Sequence, residues 1–118
     1  MTRINVGVFP RELSDRHLLA EHREIKRIPN NIRSGKFNMN GIPKEFTLGT
    51  GHVKFFYDKL LYLRKRYKRI YAECCKRKFK VTYYGNAWDE IPEQLMNDYV
   101  ERPQDREIIL ERIKSKLQ

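Results

Sequence analysis

His52-Val-Lys-Phe-Phe-Tyr-Asp-Lys-Leu-Leu-Tyr-Leu-Arg-Lys-Arg-Tyr-Lys-Arg-Ile-Tyr-Ala-Glu-Cys-Cys-Lys-Arg-Lys78 decides the fold of this 118-residue chain. Phe56, Leu60, Leu63, Tyr67, Ile70 and Cys74 recur in it at spacings of three and four, which puts them on one stripe of an α-helix. The spacing predicts a single helix from about His52 to Lys78, roughly 40 Å long at 1.5 Å per residue. The rest of its surface is strongly charged. Residues 54 to 80 carry eleven Lys and Arg against two acids, Asp58 and Glu73, a local charge of +9.

Two further segments can cover the stripe. The first begins after Leu13, where Ser14 is a good N-cap and Leu13 with Leu18 forms a hydrophobic staple across it; the helix should run to about Ile28 and stop before Pro29. On its wheel Leu18, Ile25 and Ile28 share one side, and Arg16, Arg23 and Arg27 fall within about 40° of one another on the other. Glu24 lies at the edge of that arginine row. The second covering helix, about Gln104 to Leu117, places Ile109, Ile113 and Leu117 on one side and Arg112 and Lys116 on another. Residues 29 to 51 are rich in Asn, Gly, Pro and Ser and read as a connecting loop with a short helical turn inside it. Residues 79 to 103 form an aromatic-rich irregular segment around Tyr83, Tyr84 and Trp88. Residues 4 to 9 and 78 to 84 could be short extended pieces, but neither has an evident partner strand. The expected fold class is all-α: a single compact domain over residues 1–118, with three main helices joined by long irregular loops.

The charge narrows the function. Lys and Arg number 25 against 15 Asp and Glu, for a net +10. Residues 81 to 118 hold eight acids against five bases, so the basic excess sits in the middle of the chain. Such asymmetry points to a polyanion-facing surface, with a merely solvated basic helix as the bland alternative. No apolar run is long enough to span a membrane and no apolar signal segment opens the chain, so no membrane partner is expected and the location is expected to be cytoplasmic. Cys74 and Cys75 are adjacent, a poor disulfide pair that suits a reducing compartment. Three histidines without a Cys-x-x-Cys suggest no metal. Gly49-Thr-Gly51 lacks the Gly-Lys-Ser/Thr ending of a phosphate loop and reads as a helix-start turn, so no cofactor is expected.

One nucleophile is available at the start of the chain. Thr2 is small enough for the initiator Met1 to be removed, which leaves a free α-amine. With a pKa near 7.7–8.0, roughly a tenth of it is neutral at pH 7, far more than of any lysine. Such an amine forms Schiff bases readily. From the residues alone Thr2 is either that nucleophile or an uninvolved terminus, and Glu24 is either a catalytic carboxylate or half of a helix-surface ion pair.

Met1-Thr-Arg-Ile-Asn5, His17-Leu-Leu-Ala-Glu21, Arg23-Glu-Ile-Lys-Arg27, Leu48-Gly-Thr-Gly-His-Val53, Phe55-Phe-Tyr-Asp-Lys-Leu60, Leu63-Arg-Lys-Arg66 and Ala72-Glu-Cys74 together resemble the phage pyrimidine-dimer DNA glycosylase and abasic-site lyase family, also called phage endonuclease V. The resemblance runs from residue 1 to the last helix and implies a single helical domain. It also implies a bifunctional DNA N-glycosylase and AP lyase, in which the threonine amine attacks C1′ of the damaged nucleotide and a first-helix glutamate assists. The matching positions are Thr2 and Glu24, with one residue inserted between them near Pro10. Arg3, Arg23 and Arg27 match phosphate-holding positions, Arg112 and Lys116 match a basic pair on the last helix, and His17 matches a histidine near the reaction centre. Arg16 stands where the family has a neutral polar residue and would add a phosphate contact. The implied partner is duplex DNA carrying damaged or abasic sites, bound by a monomer near the nucleoid of a bacterial or phage-infected cell.

The chain departs from the family in three places. It stops at Gln118 without the aromatic tail that takes part in dimer recognition, so the lesion is open between ultraviolet dimers and another damaged base. His22 stands where the family has tyrosine, and the loop after Arg33 is shorter, which bears on how the opposite strand is gripped. Tyr83, Tyr84 and Trp88 supply either stacking surface or packing. A non-catalytic basic DNA-binding or architectural protein that retains the fold is the alternative.

Overall fold

Leu60, Leu63, Tyr67, Ile70 and Cys74 have no solvent exposure, and they line one side of a helix, as their spacing requires. The computed structural model describes residues 2–116, with side chains through residue 115. Five α-helices are described, α1 (Asp15–Glu24), α2 (Arg27–Arg33), α3 (His52–Phe55), α4 (Leu60–Lys76) and α5 (Pro103–Lys116), with short 3-10 turns at Pro10–Glu12, Gly85–Trp88 and Glu93–Leu95. No strand occurs among the described residues, so residues 4 to 9 and 78 to 84 pair with nothing as β-structure. The protein is all-α, with α1 packed on α4 and a single hydrophobic core between the helices and the N-terminal segment. Its three main helices are α1, α4 and α5, and two shorter ones arise where longer helices were expected.

The expected continuous helix from His52 to Lys78 is two helices, because side chains and a distant carbonyl take the groups that would join them. In an unbroken helix Phe55 C=O would accept from Lys59 N–H, and Asp58 C=O from Tyr62 N–H. Instead Lys59 N–H bonds Phe56 O at 2.9 Å, and Tyr62 N–H bonds Asn97 O at 3.2 Å. The vacated carbonyls are satisfied by Lys59 Nζ on Phe55 O and by Asn97 Nδ2 on Asp58 O, both at 2.9 Å. α4 therefore has 17 residues and a length of about 26 Å, shorter than the pattern suggested.

The first helix departs from expectation in a different way. Ser14 caps it through the His17 N–H, and both Leu13 and Leu18 enter the core. The chain then breaks at Ile25 and Lys26 and resumes as α2, with Pro29 inside the new helix rather than beyond the old one. Proline has no N–H to give Ile25 C=O, and its ring crowds that carbonyl. The ladder tightens instead, Ile28 N–H bonding Ile25 O at 3.3 Å, and Asn30 N–H restarts the helix on Lys26 O at 3.0 Å. Proline is thus tolerated in the first turn of α2, where the amide it lacks would be an orphan.

α5 begins at Pro103, and the Asp105 carboxylate accepts from Arg102 N–H at 2.9 Å and from Tyr99 Oη–H at 2.5 Å. Its Ile109 is buried and Ile113 packs on the core; Leu117, expected on the same side, lies outside the described residues. Trp88 is buried with its ring 5.2 Å from that of Tyr67, so it packs rather than stacks on a ligand. His22 is buried too. Its Nε2 lies 3.1 Å from Tyr67 Oη, which also accepts from Tyr84 N–H at 2.7 Å, and burial pushes the His22 pKa down.

The core contains one pair of opposite charges. Arg66 on α4 grips Glu21 on α1 through both fork nitrogens, Nε to Oε2 and Nη2 to Oε1, the latter at 2.9 Å. Their side chains are 5% and 0% exposed. Burial opposes the Arg66 charge, but the Glu21 carboxylate outweighs it and raises the guanidinium pKa above its ordinary value. Removing one partner of such a pair strands a charge in the interior at a cost of about 3–5 kcal/mol, whereas replacing both with apolar groups can be near neutral. Urea denaturation should therefore show Arg66→Met to be the more damaging change, with the double variant Glu21→Leu/Arg66→Met closer to wild type than the single one.

Candidate functional site

The segment from Ile4 to Val8 has no regular structure, yet it is held almost residue by residue. Ile4, Val6 and Val8 are inserted into the core, at most 1% exposed. Ile4 N–H donates to His52 Nε2 at 3.0 Å, and Asn5 Nδ2 donates to Glu21 Oε1 at 2.7 Å. Gly7 N–H donates to Glu101 Oε2 at 2.8 Å, while Arg106 donates to Gly7 O and Arg66 to Val8 O, each at 3.0 Å. Gly7 has φ +82°, and a Cβ there would lie 2.9 Å from Arg106 Cβ, so only glycine lets the segment cross α5 this closely. These partners are 16 to 99 positions away in sequence.

His52 is the anchor nearest the terminus. Its Nδ1 lies 2.9 Å from Thr47 O and its Nε2 receives the Ile4 N–H, which together define a neutral ring with the proton on Nδ1. Burial keeps it neutral, lowering its pKa to about 4; the Thr47 carbonyl pulls the other way, and Arg3 adds to the lowering. Phe46 and Phe56 pack on the ring edge-on at 5.3 and 5.4 Å.

Thr2, half-buried, emerges from this anchorage into an open cleft of about 610 Å³. Lys36 and Lys54 bring cations to the cleft, and Phe37 and Tyr57 bring rings that meet edge to face at 5.9 Å. Beside Thr2 in sequence, Arg3 belongs to a group of charges drawn from three parts of the chain. The Arg3 pKa is lowered by partial burial and by Arg112 on α5, and raised in part by Glu24 on α1. The His17 pKa is lowered by burial, then by Arg16 and Arg112. Arg3, Arg16, His17, Glu24 and Arg112 are therefore near enough to sense one another's charges in pairs. The Glu24 side chain is 14% exposed, with Arg27 Nη1 at 3.5 Å from Oε1. Arg23 on α1 and Arg27, the first residue of α2, are exposed, so the arginine row expected on one helix is divided by the break at Ile25 and Lys26. Lys116 ends α5, and its side chain lies outside the described residues.

The basic residues of α4 do not join this group. α1 and α4 pack on each other, and Arg16 and Arg23 of α1, like the exposed cations of α4, lie opposite the buried residues of their own helix. Among the described residues no cluster of three His, Cys, Asp or Glu could hold a metal ion, and no helix is long and apolar enough to cross a membrane.

The residues that hold the N-terminal segment were not singled out from the sequence. Glu21 and Arg66 did leave a signal, since each is a charge on the apolar face of its helix, Glu21 between Leu18 and Ile25 and Arg66 between Leu63 and Ile70. His52 left none, because nothing local ties it to residue 4.

A short helical scaffold that sets Arg3 near Arg112 and Glu24, and His17 near Arg16 and Arg112, has a basic surface suited to a polyanion. The chain matches the model of the pyrimidine dimer DNA glycosylase family over residues 1–84 and belongs to that family. It is accordingly a DNA repair glycosylase with DNA as its substrate. The matched region holds the N-terminal segment and α1 to α4; α5, with Arg112, lies beyond it.

The His52 hydrogen bonds carry a pH dependence with a definite sign. The ring's folded pKa of about 4 is below the value of about 6.5 in the unfolded chain, so the unfolded state takes up the proton first as pH falls. The stability contributed is complete above pH 6.5 and is lost as pH drops toward 4, up to about 3 kcal/mol. Urea unfolding between pH 7 and 4.5 should show this loss in the wild type and a flatter profile in His52→Gln.

Proposed function

We propose that the protein is a bifunctional DNA N-glycosylase and AP lyase whose nucleophile is the Thr2 α-amine, freed by removal of Met1. What supports this most is that Thr2 lines the cleft, while its neighbour Arg3 senses both Glu24 and Arg112. In this reading Glu24, 22 positions on in sequence, is the carboxylate that serves the amine.

The Thr2 nitrogen bonds to deoxyribose C1′ as the glycosidic bond breaks, and its electron pair leaves with the base, which takes up a proton. The C1′–O4′ bond then opens with its electrons and a proton going to O4′, and the nitrogen lone pair completes a protonated imine. Loss of the C2′ proton expels the 3′ phosphate with the C3′–O electrons, and water hydrolyses the imine to return the amine. Glu24 stabilises the iminium cation and handles the O4′ and C2′ protons, work that a positioned carboxylate speeds by about 10²–10⁴. Arg3, Arg16, Arg23, Arg27, Arg112 and Lys116 hold phosphates and His17 touches sugar or phosphate, which positions the strand without reading its sequence. Reaching C1′ requires a kinked duplex or an extruded nucleotide, at a cost that a damaged pair lowers. The lesion is an ultraviolet pyrimidine dimer or another damaged base, and the enzyme acts as a monomer in the cytoplasm.

Borohydride added to the processed protein with an abasic duplex should trap a covalent adduct through Thr2. Glu24→Gln should still bind that duplex but cut it at least about 100-fold more slowly, and an extra residue ahead of Thr2 should abolish the adduct. A processed protein that binds abasic DNA yet gives neither adduct nor cleavage is instead a binding or architectural protein.

A further inference from the structure

We propose that the outer face of α4 is a second DNA-binding surface, which holds a separate duplex while the first lies on the α1 side. On the helical wheel Arg64, Lys65, Lys68, Arg69 and Lys76 fall within an arc of about 140°, opposite Leu63, Ile70 and Cys74. All five are exposed, and the residues opposite them are buried. The arc runs for about 18 Å along the axis, the length of roughly five successive phosphates on one DNA strand.

The fold gives these cations little to do. Lys65 is paired with Asp98 at 2.6 Å, and the only carboxylate in α4, Glu73, is held by Arg77 at 2.8 Å. Among the described residues no ion pair engages Arg64, Lys68, Arg69 or Lys76. Arg64 with Lys68, and Lys65 with Arg69, are like charges four apart, an arrangement that destabilises a helix rather than supporting it. The face continues across a cleft of about 460 Å³ lined by Arg69, Ala72 and Lys76 to Phe9, which is 48% exposed with the Arg11 guanidinium 4.6 Å over its ring.

Geometry separates this face from the first. Arg16 and Arg23 lie opposite the buried face of α1 and the cations lie opposite the buried face of α4, and the two helices pack together in a body measuring 36 × 30 × 23 Å. One straight duplex cannot touch both. The occupant that fits is a second duplex. DNA is this protein's substrate, and a row of exposed cations, of which only Lys65 is in an ion pair among the described residues, matches a row of phosphates without needing a sequence. An enzyme gripping two segments can pass from one to the other without becoming free, which speeds the search for rare lesions.

This inference rests on the DNA reading but not on the imine, and it is tested with DNA that cannot form one. The protein is bound to a fluorescent duplex carrying a reduced abasic site, and dissociation is followed against increasing unlabelled undamaged duplex. The wild type should dissociate faster as competitor rises. In Lys68→Glu/Arg69→Glu, and in the milder Lys68→Gln/Arg69→Gln, the competitor-dependent part should fall at least about tenfold, as expected when two phosphate contacts are lost. Single-turnover cleavage at saturating enzyme should stay within about two-fold of wild type, as these side chains lie away from the first duplex. A wild-type rate independent of competitor overturns the proposal, as does a dependence that survives in both variants. Polyglutamate that works as well as duplex also overturns it, since the face would then serve acidic protein. Loss of cleavage or of the borohydride adduct in the wild type would instead count against the Thr2 chemistry and leave the competitor dependence standing.

Discussion

A carboxylate and a guanidinium sealed from water hold this small protein together at its functional end. Glu21 and Arg66 join α1 to α4, and each has capacity left over: Glu21 Oε1 also receives Asn5, and Arg66 Nη1 also binds Val8 O. The pair therefore joins two helices and an irregular segment at once. Two charges removed from water lose several kcal/mol of solvation each, so the arrangement is tolerable only because nearly every lone pair and N–H is matched. A less complete network would leave the N-terminal segment without a defined place on the helices.

That placement matters because a chemically ordinary group is at stake. An α-amine is more often neutral at pH 7 than a lysine, but chain ends are usually loose. Here the segment behind the amine is fixed by apolar insertion of Ile4, Val6 and Val8 and by backbone hydrogen bonds to His52, Glu101, Arg106 and Arg66. Thr2 extends only two residues beyond the His52 anchor. A residue on so short a tether is confined near the cleft that it lines, which is what the proposed role of its amine requires.

Two groups of basic residues stand out within the net charge of +10. One group, Arg3, Arg16 and Arg112 with His17, draws on the N-terminal segment, α1 and α5; the other is the outer side of α4. The acids of the C-terminal third are partly spent internally: Glu101 holds Gly7 and Tyr62, Asp105 caps α5, and Asp98 pairs with Lys65.

The sequence by itself determined the helical class, the buried stripe of α4, the Ser14 cap and the basic partner surface. Those features depend on contacts within a few residues, which 3.6-residue periodicity and side-chain chemistry encode directly. The family blocks made Thr2, Glu24 and the arginines legible as a set, though not their meeting. Tertiary structure decided where helices break and what holds the terminus. Tyr62 N–H abandons α4's own ladder for Asn97, 35 positions on, and Ile4 N–H finds His52, 48 positions on. Pro29 marked a discontinuity in the sequence, but whether the helix ended or restarted there depended on what else could satisfy the Ile25 and Lys26 carbonyls. A hydrogen bond between groups so far apart is specified only when the whole core has brought them together, and no local pattern in the chain announces it.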